Sequence, residues 1–363
     1  MVRTKAPRRD HFTKRVQDHG RTNTGVRQQD RQTNDALNRA LGAMAAAAGE
    51  TPLTAGEPDD RVTDEAAVTL GLPFLTLGGR DQLAKSGVIS MIRDRPVTSF
   101  LVITFGVSYA LGIPFNVAVS SIVDSSSLAG LYLPRVVTVI GPAVAALLVA
   151  LAGGGVISVA QLFGSLRLHV GDVRWVASGA AVGLMSAGIA FVLAGLPLEK
   201  LLEVVATHAP LLFGHVLIQV TVIGVGEELG WRGWLLPSLS ASRSFLGGTA
   251  LTGLAWALWH LPLYSSGLSI ALSFTVLVAS LSVVFSWLWH RTAGGTGVVA
   301  LAHGFVNAPF FFVEQLIRPM PDGDALTVRA FAYFAGCYSA VALALAVNRR
   351  HIWRARGAIF RRV

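Results

Sequence analysis

From residue 96 onward the chain is a succession of apolar stretches, each about twenty residues long, separated by short polar breaks. An α-helix rising about 1.5 Å per residue needs a stretch of that length to cross a hydrocarbon layer about 30 Å thick. Spans are predicted near 97–117, 131–153, 174–196, 212–236, 246–265, 268–289, 295–316 and 328–347. Hydrocarbon offers backbone N–H and C=O groups no water, so only helices and closed barrels can span it. A barrel would show short segments of alternating polarity, and these runs are too long and too uniformly apolar. The expected fold is all-α: a polytopic membrane bundle of about eight transmembrane helices.

The charges agree. Only 14% of residues are charged, against about 25% in soluble proteins. Residues 1–90 are predicted to form a disordered basic cytoplasmic tail whose last part, 66–90, reaches the membrane interface. Residues 91–348 should hold the transmembrane domain, and 349–363 a second basic cytoplasmic tail. A natural start near Met91 is also compatible with the pattern. The first apolar run comes only after Pro96, so no secretory signal is expected and the spans themselves would direct insertion.

Excess Lys and Arg in a membrane protein collect in cytoplasmic loops. The net charge of +9 is therefore not a nucleic-acid footprint, and no nucleic-acid partner is expected. Arg93 and Arg95, then Arg167 and Arg174, then Arg243, then Arg291, then the tail from Arg349, fall in alternate connections. The other connections hold Asp124, then Glu199, Lys200 and Glu203, then Arg318, Asp322 and Asp324. Both termini are thus predicted to be cytoplasmic. Trp231, Trp234, Trp287, Trp289 and Trp353 fall near predicted cytoplasmic ends and are expected to be interfacial. Ala-, Gly- and Arg-rich usage points to a GC-rich bacterial genome, hence a bacterial plasma membrane. The lone cysteine, Cys337, excludes an internal disulfide.

Ionisable groups inside spans are expensive and mark functional sites by default. Here they concentrate in three helices. The fourth carries Gly226-Glu227-Glu228-Leu229-Gly230-Trp231-Arg232. Glu228 and Arg232 stand four residues apart in the order that favours an ion pair along a helix. Glu227 has no such partner in its own helix, which suits a general base. The fifth helix holds Trp256 and His260 on one face, and the seventh His303 and Asn307. Gly304 permits close approach of a neighbouring backbone. Counted from the predicted cytoplasmic ends, Glu227 lies roughly 14 Å deep, His260 roughly 21 Å and His303 roughly 12 Å. The three helices can therefore deliver these groups to one level below the cytoplasmic surface, with the outer ends of the spans apolar and His215 isolated near one of them.

A carboxylate, two imidazoles and a carboxamide suit hydrolysis of an amide by water. Two chemistries fit. In one, Glu227 takes a proton from water, His260 orients that water, and His303 and Asn307 donate hydrogen bonds to the oxyanion. In the other, Glu227, His260 and His303 hold one divalent metal such as zinc. No His-Glu-x-x-His helix is present.

Glu227-Glu228-x-x-x-Arg232, Trp256-x-x-x-His260 and His303-x-x-x-Asn307, in that order and each in an apolar helix, resemble the three motifs of the CAAX prenyl protease and bacteriocin-processing (CPBP, or Abi) family. Trp256 stands where the family often has Phe. The resemblance covers roughly residues 205–316. It implies an intramembrane endopeptidase over 91–348, with a cavity open to the cytoplasm. It further implies Glu227 as base, His260 as its partner, His303 and Asn307 around the oxyanion, and Glu228 with Arg232 as support. Metalloprotease and metal-free glutamate mechanisms both remain open at this point. The expected partners are a protein or peptide substrate and membrane lipid. The alternatives are a non-catalytic scaffold or immunity protein of the same fold, and a transporter using the same groups as a proton path.

Overall fold

A computed structural model describes residues 87–355, which form helices and short connections with no strand among them. The expectations for residues 1–86 and 356–363 lie outside the described residues. Seven helices are long and apolar enough to cross a membrane: α2 (Pro96–Ser120), α3 (Leu128–Gly164), α4 (Val170–Ala194), α6 (Ala209–Ser240), α8 (Leu268–Arg291), α9 (Thr296–Ile317) and α10 (Gly323–Asn348). The shorter helices are α1 (Gly87–Asp94), α5 (Leu198–Thr207), α7 (Phe245–Trp259) and α11 (Arg350–Arg354). The protein is an integral membrane helix bundle, as its apolar runs require. Exposed Leu184, Leu193, Phe213, Leu217 and Leu254 coat its outside, a surface that hydrocarbon rather than water would accept.

The second expected span, 131–153, runs longer, from Leu128 to Gly164, and the fifth falls short of its predicted length. α7 has 15 residues, about 22 Å at the usual rise, short of a full crossing. It stops at His260 because Pro262 has no N–H to donate to the Leu258 carbonyl and its ring crowds that turn. A 3₁₀ segment, Leu261–Ser266, continues from there. The Tyr109 hydroxyl of α2 donates to the terminal carbonyls of Leu258 (3.2 Å) and Trp259 (2.8 Å). His260 therefore stands at a helix end inside the bundle.

α6 is not uniformly α-helical. Segments with π geometry, Gln219–Gly224 and Trp231–Leu235, bracket the α-helical turn Val225–Gly230 that carries both glutamates. Single π turns inside α-helices recur at functional sites. Close approach fixes the neighbours. A Cβ on Gly304 would come within 2.8 Å of the Val220 backbone, and one on Gly230 within 2.6 Å of the Pro142 backbone. The contact expected at Gly304 is thus made, and it locks α9 against α6.

Short helices stand at both edges of the bundle. Residues 87–90, assigned to the disordered tail, begin α1. In the C-terminal tail, α11 is ordered against the bundle because Ile352 and Trp353 are apolar and bury. The Trp353 ring stacks 5.5 Å from Phe245, whose N–H donates to the Ala355 carbonyl. For the same reason Trp231, Trp289 and Trp353 are core residues rather than interfacial ones.

Candidate functional site

Glu227 and Glu228 are consecutive, and about 100° of helical rotation separates them. Each accordingly meets a different environment. Glu228 is fully buried and accepts from Arg232 Nη1 at 2.8 and 3.0 Å, and from His303 Nδ1 at 2.8 Å. The ion pair expected from the i, i+4 spacing is formed, and it is joined by a histidine from α9. The Arg232 guanidinium lies 4.4 Å from the centre of the Trp256 ring and 5.2 Å from that of Phe285. Its Nε and Nη2 find no hydrogen-bond partner among the described residues, so the aromatic faces supply what compensation there is.

Glu227 is not paired with a cation. Its Oε2 accepts from the Trp256 indole Nε1 at 2.8 Å. Sequence reasoning left Glu227 unpartnered because a neutral donor on another helix leaves no charge signature. Trp256 also accepts, through its main-chain oxygen, from His260 Nδ1 at 2.9 Å, and its ring meets His303 edge-on at 5.6 Å. One tryptophan thus touches Glu227, Arg232, His260 and His303.

These bonds define the histidines. A carbonyl oxygen can only accept, so His260 Nδ1 carries the proton and Nε2 is the nitrogen left for a ligand. His303 Nδ1 faces a carboxylate held by arginine, so it too donates, again leaving Nε2. Asn307 donates from Nδ2 to Gln219 Oε1 at 3.2 Å.

Glu227, Trp256, His260, His303 and Asn307 line one cavity of about 520 Å³. Glu228 and Arg232 do not line it; they sit behind His303. The rest of the wall is mainly aromatic and aliphatic, with Phe274, Leu281, Phe310 and Phe334 prominent. All residues read from the sequence as one site are therefore brought together. Among the described residues, however, no group of three or more His, Cys, Asp or Glu side chains is arranged to hold a metal. The Glu227, His260 and His303 set considered for zinc is therefore not assembled as a ligand group in this geometry.

The cavity's walls come from Tyr109–Asn116 near the end of α2, Leu131–Val139 near the start of α3, the end of α7, and the first half of α8 and α10. That half of the bundle borders the connections 121–127, 261–267 and 318–322. The connections at 165–169 and 241–244, which hold Arg167 and Arg243, and the one at 292–295, which follows Arg291, are at the other, basic end. The ends of the described residues, near Gly87 and Ala355, lie with these basic connections, away from the cavity.

Sequence reasoning also missed a polar strip. His215, read as isolated, is fully buried with its Nδ1 2.7 Å from the Tyr132 hydroxyl and its Nε2 2.7 Å from Gln315 Oε1. Gln219 Nε2 donates to Tyr132 at 3.1 Å. The outer ends are thus not apolar inside the bundle. A signal was present: His215, Gln219 and Glu227 on α6, and His303, Asn307 and Gln315 on α9, all fall on every-fourth-residue series.

Fold and site together define an integral membrane protein with a buried Glu–Arg–His cluster beside an apolar cavity. Residues 209–309 match the family described as Type II CAAX prenyl endopeptidase Rce1-like. CAAX prenyl protease 2 of Methanococcus maripaludis is 24% identical over 106 residues, covering 26% of this chain and 39% of that relative. The chain thus spans about two fifths of the length of this curated relative. The matched segment contains all three motifs, and over it the chain is similar to the type II CAAX prenyl endopeptidases.

Proposed function

We infer that the protein is an intramembrane endopeptidase that hydrolyses a peptide bond with water activated by Glu227. One observation carries this reading. Of two adjacent buried glutamates, only Glu227 faces the cavity and is free of a cation, while Glu228 is consumed by Arg232 and His303.

The reaction follows from the hydrogen bonds. Water in the cavity lies between the Glu227 carboxylate and His260 Nε2. Glu227 takes one proton as the water oxygen adds to the scissile carbonyl. The new oxyanion accepts from the second Nδ2–H of Asn307, beside the His303 ring that Glu228 holds through Nδ1. The C–N bond then breaks, and the proton held by Glu227 passes to the leaving amine. The aromatic walls suit a substrate with a bulky apolar group, in keeping with the prenyl peptidase relatives. Loop charges orient the termini to the cytoplasm of a bacterial cell, so the cavity faces the opposite leaflet.

The proton-path alternative is strengthened by the polar strip through His215. What weighs against it is that the segment similar to prenyl endopeptidases carries His215, Gln219 and Asn307 of the strip. Purified protein in detergent, given a peptide library that includes farnesylated C-terminal peptides in H₂¹⁸O, tests the reading. Cleavage should place one ¹⁸O in the new carboxylate and should vanish in Glu227→Ala. Equal cleavage by Glu227→Ala would refute it.

A further inference from the structure

The strip through His215 forms one continuous chain of hydrogen bonds: Asn307, Gln219, Tyr132, His215, Gln315 and the main-chain oxygen of Ser126. It joins the cavity to the connection before α3, and beyond Asn307 no step of the hydrolysis uses it. Its far end sets its direction. The Ser126 oxygen is a carbonyl and can only accept, so Gln315 must present Nε2 to it, at 2.7 Å. Gln315 Oε1 is then left for His215, whose Nε2 must carry the proton. A neutral His215 therefore has a bare Nδ1, and the Tyr132 hydroxyl donates to it. The Tyr132 oxygen is left to accept from Gln219 Nε2, which turns Gln219 Oε1 toward Asn307. Asn307 in turn must point Nδ2, not Oδ1, at Gln219.

The anchor is itself fixed. Asp124 accepts from the Ser126 N–H at 2.9 Å and from its hydroxyl at 2.8 Å, and the Ser127 hydroxyl caps α3 through Gly130 N–H at 3.0 Å. The Ser126 bonds hold the Asp124 carboxyl below the usual carboxylate range. Tyr132, His215 and Gln219 are buried, where a reversed amide would set donor against donor with no water to relieve it.

We propose that Gln219, held by Tyr132 and His215, is a positioning residue that fixes the orientation of the Asn307 carboxamide and so keeps one Nδ2–H directed at the reacting carbonyl. This rests on the assignment of Asn307 to the oxyanion. The variants are Gln219→Leu, which deletes the acceptor, and Tyr132→Phe, which deletes a single oxygen and frees Gln219 to reverse. Each is measured alone and in the Asn307→Ala background, on a farnesylated C-terminal peptide.

Gln219→Leu and Tyr132→Phe should each lower kcat about tenfold, less than the hundredfold or more typical of losing an oxyanion donor, with KM within about twofold. In the Asn307→Ala background neither should lower kcat by more than about twofold, because residues acting as one unit are not additive. Full additivity in that background, or unchanged kcat in the single variants, overturns the proposal while leaving the catalytic reading intact. Unchanged kcat in Asn307→Ala overturns both. If Gln219→Leu elutes as aggregate, Tyr132→Phe alone decides the matter by the same comparison.

Discussion

The indole Nε1 of Trp256 donates a 2.8 Å hydrogen bond to Oε2 of Glu227, while the face of the same ring covers the Arg232 guanidinium at 4.4 Å. Trp256 thereby separates the two glutamates electrostatically. It orients one with a neutral donor and leaves the other to its cation. Phenylalanine, the residue frequent at this position in the family, would keep the ring and lose the donor. Trp256→Phe should therefore preserve the fold and lower kcat by about ten- to a hundredfold, the loss expected for one hydrogen bond to a charged group. Thermal unfolding and steady-state kinetics on the same preparation check this. A wild-type kcat would show that the bond does not orient Glu227 for the reaction.

Arg232 acts on stability before it acts on chemistry. Both members of its pair with Glu228 are fully buried, and removing one leaves the other uncompensated. Arg232→Met should destabilise the protein by about 3–5 kcal/mol. The apparent Tm in detergent should fall accordingly, with further loss if His303 is released from Glu228. An unchanged Tm would mean that water reaches the pair.

Metal dependence separates the two chemistries read from the sequence. Among the described residues Glu227, His260 and His303 form no metal-ligand cluster. Treatment with a phenanthroline-type chelator should leave the cleavage rate within about twofold, since no residue identified here would lose a ligand role. Inactivation that is reversed by added zinc would overturn the metal-free mechanism.

Topology decides which compartment supplies the substrate. In a Cys337→Ser background, Ser125→Cys should react with a membrane-impermeant maleimide in intact cells, whereas Ser242→Cys should react only after permeabilisation. Both positions are exposed connections at opposite ends of the bundle. The reverse pattern would place the cavity on the cytoplasmic side and the basic connections outside, against the charge rule.

Much of this was legible in the sequence because hydrocarbon leaves a chain few choices. The all-α bundle follows from the apolar runs, and the Glu228–Arg232 pair from spacing along one helix. His303 and Asn307 were found because polar groups in spans are conspicuous. What was not legible depends on contacts between helices. The bond from Trp256 to Glu227 joins residues 29 apart, and an aromatic residue in an apolar helix looks like packing. His215 looked isolated because its partners, Tyr132 and Gln315, come from α3 and α9. The short α7 was read as a full span because hydropathy runs on past Pro262, where the helix itself cannot. The rest of the cavity was not legible for a related reason: the polar residues flagged in the sequence mark its floor, and its walls are ordinary aromatic and aliphatic side chains.

The central claim is that the two adjacent glutamates divide the work, with Glu227 as the base and Glu228 as the support for His303 and Arg232. Single-turnover cleavage of a farnesylated peptide by Glu227→Gln, an isosteric change that keeps the Trp256 hydrogen bond, measures this directly. The account predicts an unchanged Tm with a rate lowered by about a thousandfold or more, since the amide cannot accept the proton from water. A Glu227→Gln rate within about tenfold of wild type would contradict it and move the search for the base to His260 or Glu228.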